Sequence, residues 1–296
     1  MEVVFLGTSS MVPTKDRNQS GVFVSYGSEG ILLDCGEGIQ RQLKITGISL
    51  TKLTKILITH WHGDHVLGLP GVVQTLGSLG YTGKLRVYGP EGTAERFEFM
   101  KKAFVFEETI DMEVTDIDKR VFFEGSGFSL EALPLEHTTE CLGFAIVEKD
   151  KRKIQMDSVR KLGLPEGPLL GELQEGKTVT WKGKSIVPDD VSHLSKGTKL
   201  AYITDTGLCN NAIELAKDAD LLICEATYAE DLEEKAEAYR HLTSKQAGLI
   251  ANKANVKKLV LTHFSQRYKS VHEVEDGART VFDNVVCAKD FMRIRV

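Results

Sequence analysis

Three apolar, strand-like runs in this chain end the same way, in a threonine followed at once by a residue able to bind a cation. They are Ile56-Leu57-Ile58-Thr59-His60, Ala201-Tyr202-Ile203-Thr204-Asp205 and Leu259-Val260-Leu261-Thr262-His263. The run from Phe128 to Glu136, followed by His137, repeats the layout more loosely. Strand ends give rigid support, and in layered α/β folds sites form along the rim where strands end. A fold that suits this chain therefore brings four segments, distant in sequence, to one edge.

The first segment is the richest. From His60 to His65 the chain holds three imidazoles and one carboxylate within six residues. In extended backbone alternate side chains leave the same side, so His60 and His62 point together. Gly63 then lets the chain turn tightly, which frees Asp64 and His65 to face a second ion close to the first. The pattern reads as a site for two metal ions. His60, His62 and His137 are assigned to one ion, and Asp64, His65 and His263 to the other. Asp205 bridges them, having two oxygens and a negative charge that offsets two dications. Nitrogen and oxygen ligation with several imidazoles favours zinc, with manganese the alternative. Two such ions roughly 3.5–4 Å apart acidify a water enough to give a nucleophile at neutral pH. His193 and His272 lack this context and read as ordinary surface or structural histidines.

With 296 residues, 42% of them hydrophobic, the chain can bury a large core. No apolar stretch is long enough to cross a membrane. Residues Met1 to Gly7 lack the basic region and cleavage site of a signal peptide and read directly as a first strand. Five scattered cysteines (Cys35, Cys141, Cys209, Cys224, Cys287) form no C-x-x-C pair. They suit a reducing cytoplasm and argue against both a disulfide framework and a thiolate zinc knuckle. A net charge of −5 looks wrong for a nucleic-acid partner, but charge is segregated. Lys149 to Lys161 holds six basic residues against Asp150 and Asp157. Glu230, Asp231, Glu233 and Glu234 read as an exposed helix face.

Strand-like runs at Glu2–Leu6, Val22–Tyr26, Ile31–Asp34, Lys55–Thr59, Lys84–Tyr88 and Phe128–Leu135 are followed by Leu142–Glu148, Lys199–Thr204, Leu221–Cys224 and Lys258–Thr262. Helical patterns at Ile39–Gly47, Gly68–Leu79, Thr93–Phe104, Cys209–Lys217, Thr243–Asn255 and Val271–Val281 lie between many of them. This interleaving predicts a layered α/β architecture. Gly163–Pro188 breaks the pattern: it is rich in Gly and Pro and ends in a hairpin-like pair, Thr178–Trp181 and Ser185–Val187. It reads as an inserted flexible arm at about residues 155–190 of a single domain spanning 1–296. On composition alone a long surface loop is an equal reading.

The ligand pattern His60-x-His62-x-Asp64-His65 with His137, Asp205 and His263 resembles the metallo-β-lactamase superfamily over the whole chain. Further motifs narrow the resemblance to the ribonuclease Z family, endonucleases that trim the 3′ trailer from precursor tRNA. These are Phe5–Ser9, Pro13–Asn18, Leu33–Gly38, Cys224–Thr227, His241–Ser244 and Thr262–Tyr268. Cys224 is a departure, since relatives usually carry His there. The resemblance implies a four-layer αβ/βα sandwich with a protruding arm, or exosite, around Gly167 and Pro168 that grips the tRNA elbow. It also implies two zinc ions per subunit and a cytoplasmic homodimer in which one subunit's arm presents tRNA to the partner's active site. The implied reaction is phosphodiester hydrolysis that removes the trailer and leaves a 3′-hydroxyl.

In that chemistry Asp64 orients or deprotonates the nucleophile while ligating a metal. His241 is the general acid, with an ordinary pKa near neutrality, and Glu225 is its orienting partner. Read without the family, His241 is equally a residue entering the helix that starts near Thr243. Lys15, Arg17 and Asn18 suit phosphate or terminal-base contacts, and Ser265 with Arg267 suits a phosphate clamp. Another enzyme of the superfamily, acting on a small phosphodiester or ester, would share the metal site but have no use for Pro13–Asn18 or the arm. A non-catalytic binding module is disfavoured, because all seven ligand positions and the acid are filled.

Overall fold

Continuous apolar runs such as Val3–Leu6 and Leu221–Cys224 need burial on both faces, which a sheet strand between two layers receives. A computed structural model, which describes residues 1–105 and 110–296, gives them that burial. The chain begins with β1 (Glu2–Gly7), β2 (Gly21–Tyr26), β3 (Glu29–Leu33), α1 (Ile39–Thr46) and β4 (Leu53–Leu57). Next come α2 (Gly63–Val66), α3 (Leu69–Ser78), β5 (Lys84–Gly89), α4 (Thr93–Ala103) and β6 (Asp111–Asp116). A meander, β7 (Val121–Glu124), β8 (Phe128–Leu135) and β9 (Cys141–Glu148), starts the second half. Residues 151–195 hold β10 (Lys151–Ile154), α5 (Met156–Leu162), α6 (Pro168–Gln174), β11 (Val179–Trp181), β12 (Lys184–Ile186), α7 (Pro188–Val191) and β13 (Ser192–Ser195). Then follow β14 (Lys199–Ile203), α8 (Asn210–Ala216), β15 (Leu221–Glu225), α9 (Glu233–Tyr239) and α10 (Ser244–Lys253). The chain finishes with β16 (Leu259–Thr262), α11 (His272–Arg279), β17 (Val285–Cys287) and β18 (Arg293–Arg295).

Two seven-stranded sheets result, ordered β18-β1-β2-β3-β4-β5-β6 and β17-β16-β15-β14-β9-β8-β7. In each, four strands run parallel, β3 to β6 and β14 to β17, where helices make the crossovers. The sheets face each other across Phe5, Val24, Leu33 and Leu57 on one side and Leu130, Phe144, Tyr202 and Val260 on the other. Ile39, Leu43, Val72, Leu76 and Phe97 cover the outer face of the first sheet. Ala212, Leu215, Ala247, Ile250 and Val274 cover the second. The layers are helix, sheet, sheet, helix, which agrees with the expected sandwich. The sequence reading misses four strands of these sheets, β6, β7, β17 and β18, and all four are edges.

The segment between β9 and β14 folds on itself. β10 pairs antiparallel with β13, and β11 with β12. The β11–β12 turn has positive φ at Lys182 (47°) and Gly183 (75°), the type I′ geometry that matches strand twist. Val159, Leu164, Leu173, Val179, Ile186 and Val191 form a cluster separate from those of the two sheets. At its root, Glu148 accepts hydrogen bonds from Lys151 Nζ at 3.0 Å, Thr198 Oγ1 at 3.0 Å and Tyr26 OH at 3.1 Å. Among the described residues no helix is long and apolar enough to cross a membrane.

Candidate metal centre

The repeated strand–threonine–ligand layout has a common backbone solution. Asp34, Asp205 and His263, each one or two residues beyond its strand, have φ of 58°, 48° and 60°. Non-glycine residues rarely turn left-handed, at a cost of order 1–3 kcal/mol each. The turn aims each side chain across the strand ends instead of along the sheet. His60, two residues beyond Ile58 on the continuation of β4, is fully buried, and His62 caps the start of α2.

Four imidazoles are held by Nδ1. That of His60 lies 3.0 Å from Thr59 Oγ1, whose hydroxyl donates onward to Asp34 at 3.0 Å. His65 Nδ1 donates to Asp34 Oδ2 at 2.8 Å, and His137 Nδ1 to the Arg240 carbonyl at 3.1 Å. His263 Nδ1 lies 2.9 Å from Thr227 Oγ1, which donates to Glu225 at 2.6 Å. Acceptors on this side keep the proton on Nδ1 and leave the Nε2 lone pairs directed at one shared space. There, His62 Nδ1 lies 3.0 Å from His60 Nε2 and 3.3 Å from His137 Nε2. Nε2 of His65 and of His263 are buried without a hydrogen-bond partner, which is rare for such atoms.

Asp205 divides its oxygens between two groups. Oδ2 is 2.7 Å from His65 Nε2 and 3.7 Å from His60 Nε2, while Oδ1 is 3.4 Å from His263 Nε2. Asp64 Oδ2 lies 3.4 Å from His65 Nε2 and 3.5 Å from His263 Nε2. All seven predicted ligands thus meet, in groupings that include His60-His62-His137, His60-His65-Asp205 and Asp64-His65-His263. A fourth grouping joins Asp205 and His263 with His241.

The electrostatics fit a cation. Burial depresses the His65 pKa, but Asp205, Asp34 and Asp64 overcome it and hold the pKa well above the usual imidazole range. Burial would raise the Asp64 and Asp205 pKa values, yet the surrounding histidines keep both below the usual carboxylate range. Burial moves His60 and His137 the other way, toward neutral imidazole. Ionised buried carboxylates call for positive charge, which a proton on His65 or a bound cation can supply, and the neutral His60 and His137 offer lone pairs to the cation. The donor set fits zinc or manganese.

In sequence Asp34 stands only as part of the Leu33–Gly38 motif. Its fully buried carboxylate accepts from Thr59 N (2.8 Å), Thr59 Oγ1 (3.0 Å), His65 Nδ1 (2.8 Å) and Tyr202 OH (3.0 Å). The signal was present: Ile31-Leu32-Leu33-Asp34 is one more apolar run ending in a ligand-type residue, without the threonine. Thr227, which joins His263 to Glu225, lay unremarked in the Cys224–Thr227 motif. Cys224 itself is buried in the outer core of the second sheet, so its neighbour Glu225 alone faces the site.

A cavity of about 420 Å³ opens on the ligands and is lined by His62, Asp64, His137, Asp205, His241 and His263. Met11, Leu67 and Tyr239 add an apolar rim, 73%, 59% and 56% exposed. His241 Nδ1 lies 3.1 and 3.2 Å from the Glu225 oxygens and 3.2 Å from Asp205 Oδ1. Burial lowers the His241 pKa, but the Glu225 and Asp205 carboxylates push it up to about 9, above the ordinary value expected from sequence. Helix α10 begins three residues later at Ser244, and its N-cap Thr243 forms a capping box with Gln246.

The remaining predicted positions lie outside the cavity. Arg17 spends its guanidinium on the carbonyls of Tyr268 (2.7 Å) and Ser265 (3.3 Å), and Asn18 donates to Glu37 O at 2.7 Å. Both therefore brace the loop that carries Ser10 and Met11 to the cavity wall. Lys15 is exposed. Arg267 donates to Ser265 Oγ at 3.2 Å and lies over the Tyr228 ring. Gly167 and Pro168 start α6 in the 151–195 segment.

Residues 1–159 match the family model of the anti-Pycsar protein Apyc1, and residues 191–264 match that of a β-lactamase superfamily domain. The chain is 40% identical to a ribonuclease Z of Thermobifida fusca, over 100% of this chain and 94% of that one. It is 39% identical to a ribonuclease Z of Methanothermobacter thermautotrophicus, over 100% and 97%. Its structure is similar to that of the short form of human tRNase Z, with a TM-score of 0.74 and 27% identity over 100% of this chain and 99% of that one.

Proposed function

The chain belongs to the ribonuclease Z family of the β-lactamase superfamily, and from that premise we propose that it removes the 3′ trailer of precursor tRNA. The reaction is hydrolysis of one phosphodiester, leaving a 3′-hydroxyl. The observation that carries this reading is the convergence of seven metal-ligating side chains and the His241–Glu225 pair on one cavity. His60, His62 and His137 would hold one divalent ion and Asp64, His65 and His263 a second, with Asp205 close to both groups, zinc before manganese. When bound, the pair acidifies a water and neutralises charge on the phosphoryl oxygens.

The protein's own groups do the rest. Asp64 lines the cavity and is held ionised, so it can accept a hydrogen bond from the attacking water and orient it. His241 offers its second ring nitrogen to the leaving 3′-oxygen. It is protonated at neutral pH because Glu225 outweighs the effect of burial. The apolar rim of Met11, Leu67 and Tyr239 suits the faces of the nucleotides on either side of the scissile bond. Lys15, Ser265 and Arg267 take outlying phosphates, while Arg17 and Asn18 support the loop between them. Residues 155–190 act as the arm that grips tRNA. Their basic approach gives salt-dependent affinity, and a homodimer lets one subunit's arm serve the partner's cavity.

The test is incubation with precursor tRNA carrying a 3′ trailer, with and without a chelator, and mapping of the new end. Cleavage at the tRNA 3′ end that the chelator abolishes is expected. A protein that hydrolyses only a small phosphodiester or ester would overturn the substrate assignment.

A further inference from the structure

Arg240 closes the C-terminus of α9 in a left-handed turn, with φ 53° and ψ 54°. Around that turn three consecutive residues take three directions. Tyr239 lines the cavity, Arg240 reaches His137, and His241 meets Glu225. The contact with His137, 103 residues away in sequence, is doubled. Arg240 Nη1 donates to the His137 carbonyl at 2.7 Å, and His137 Nδ1 donates to the Arg240 carbonyl at 3.1 Å. A carbonyl can only accept, so the second bond fixes the His137 tautomer and leaves Nε2 free to ligate.

No other group among the described residues accepts from His137 Nδ1. The His241 amide is tied to the same helix, donating to Ala236 O at 2.8 Å. The ligand and the acid are therefore fixed to one structural unit, their rings 5.3 Å apart.

We propose that Arg240 is a positioning residue that holds the metal ligand His137 and the general acid His241 in register. This rests on the reading of those two residues given above. The backbone carbonyl sets the His137 tautomer, and the guanidinium anchors the His137 main chain.

Arg240→Gly isolates the guanidinium's part. Glycine adopts positive φ without strain, so the turn and its carbonyl persist while the anchor is lost. The readout is zinc release from the loaded full-length protein to a chromogenic chelator at graded concentration. One zinc equivalent, that of His60, His62 and His137, is expected to leave about 10–100 times more readily than in the parent, with the other unchanged. On precursor tRNA, kcat falls and KM stays. Arg240→Lys, which restores a cationic donor to a carbonyl, recovers much of both. Parent-like release from Arg240→Gly, equal loosening of both equivalents, or a Lys variant no better than Gly would each overturn the assignment. Zinc release needs no RNA, so it judges Arg240 even if precursor tRNA is not cleaved.

Discussion

Asp34→Asn keeps shape and volume but makes one oxygen of a saturated acceptor into a donor. Oδ1 accepts from the Thr59 amide and hydroxyl, and Oδ2 from His65 Nδ1 and Tyr202 OH. An amide group facing Thr59 would oppose a backbone N–H that cannot reverse its polarity. The amide nitrogen therefore takes the Oδ2 side, where Tyr202 can rotate its hydroxyl and His65 can change tautomer. That change moves the His65 proton from Nδ1 to Nε2, the atom now buried, unpartnered and aimed at Asp205 and Asp64. A protonated Nε2 cannot ligate. The alternative, keeping Nδ1–H against the new N–H, leaves two buried donors facing each other at a cost of about 1–3 kcal/mol. Either outcome should weaken binding of the ion proposed for Asp64, His65 and His263 by about 10–100-fold, the usual cost of losing a group that orients a ligand. Zinc retained after equilibration with graded chelator measures this, and thermal unfolding with and without zinc separates affinity from fold. Zinc affinity within twofold of the parent would refute the tautomer argument.

Three further outcomes are expected. Glu225→Gln removes the charge nearest His241 and should shift the descending limb of the pH–rate profile to lower pH by about 1–3 units, because an acid that must be protonated loses its partner. An unchanged limb would remove His241 from the acid role. Deleting Gly163–Pro188 takes Leu164, Leu173, Val179 and Ile186 from the six-residue cluster of the 151–195 segment. It should abolish cleavage of precursor tRNA but spare hydrolysis of a small chromogenic phosphodiester, whereas equal loss of both would make the segment structural. Burial raises Asp290 from 3.8 to about 6, so its contribution to stability is complete below about pH 4 and is lost as pH rises through 6. Asp290→Asn can still accept from Asn18 N and Gln42 but sets an amide against the Thr8 backbone N–H, so its melting temperature should vary less than the parent's between pH 4 and 6.

The strands that were legible were those buried on both faces. Val3–Leu6, Leu221–Cys224 and Leu259–Leu261 present apolar residues without interruption because helices cover one side and the facing sheet the other. The edge strands give no such signal. Asp111 to Val114 alternates exposed and half-buried positions, and Arg293–Arg295 exposes both arginines around Ile294. An edge keeps charge on its open side to discourage pairing with other chains, and that charge makes it read as a loop. The ligands were legible for the opposite reason, since His and Asp after an apolar run are out of place unless something binds them. Arg240 was not legible, because half of its contribution runs through a backbone carbonyl in a left-handed turn. Arg17 misled because a guanidinium in a polar loop looks free for phosphate, while here it closes the 265–268 loop.

Half of the non-glycine residues with positive φ among those described, Asp34, Asp205, Arg240 and His263, belong to the metal centre or its immediate support. Each is strained, and three of them carry ionisable groups buried nearly out of water. A fold gains nothing from such positions by itself, since every one could be a smaller or more apolar residue in a relaxed turn. What they share is direction: a left-handed residue just past a strand sends its side chain over the rim, where a right-handed one would continue along it. The threonines before His60, Asp205 and His263 serve the same end. Thr59 and Thr204 hydroxyls contact Asp34 and Asp205, and the Thr262 backbone receives the Ala226 amide that follows Glu225. The repeated motif is thus a device for turning a strand into a ligand arm, and a cation joining the carboxylates and the free imidazole nitrogens would offset its strain.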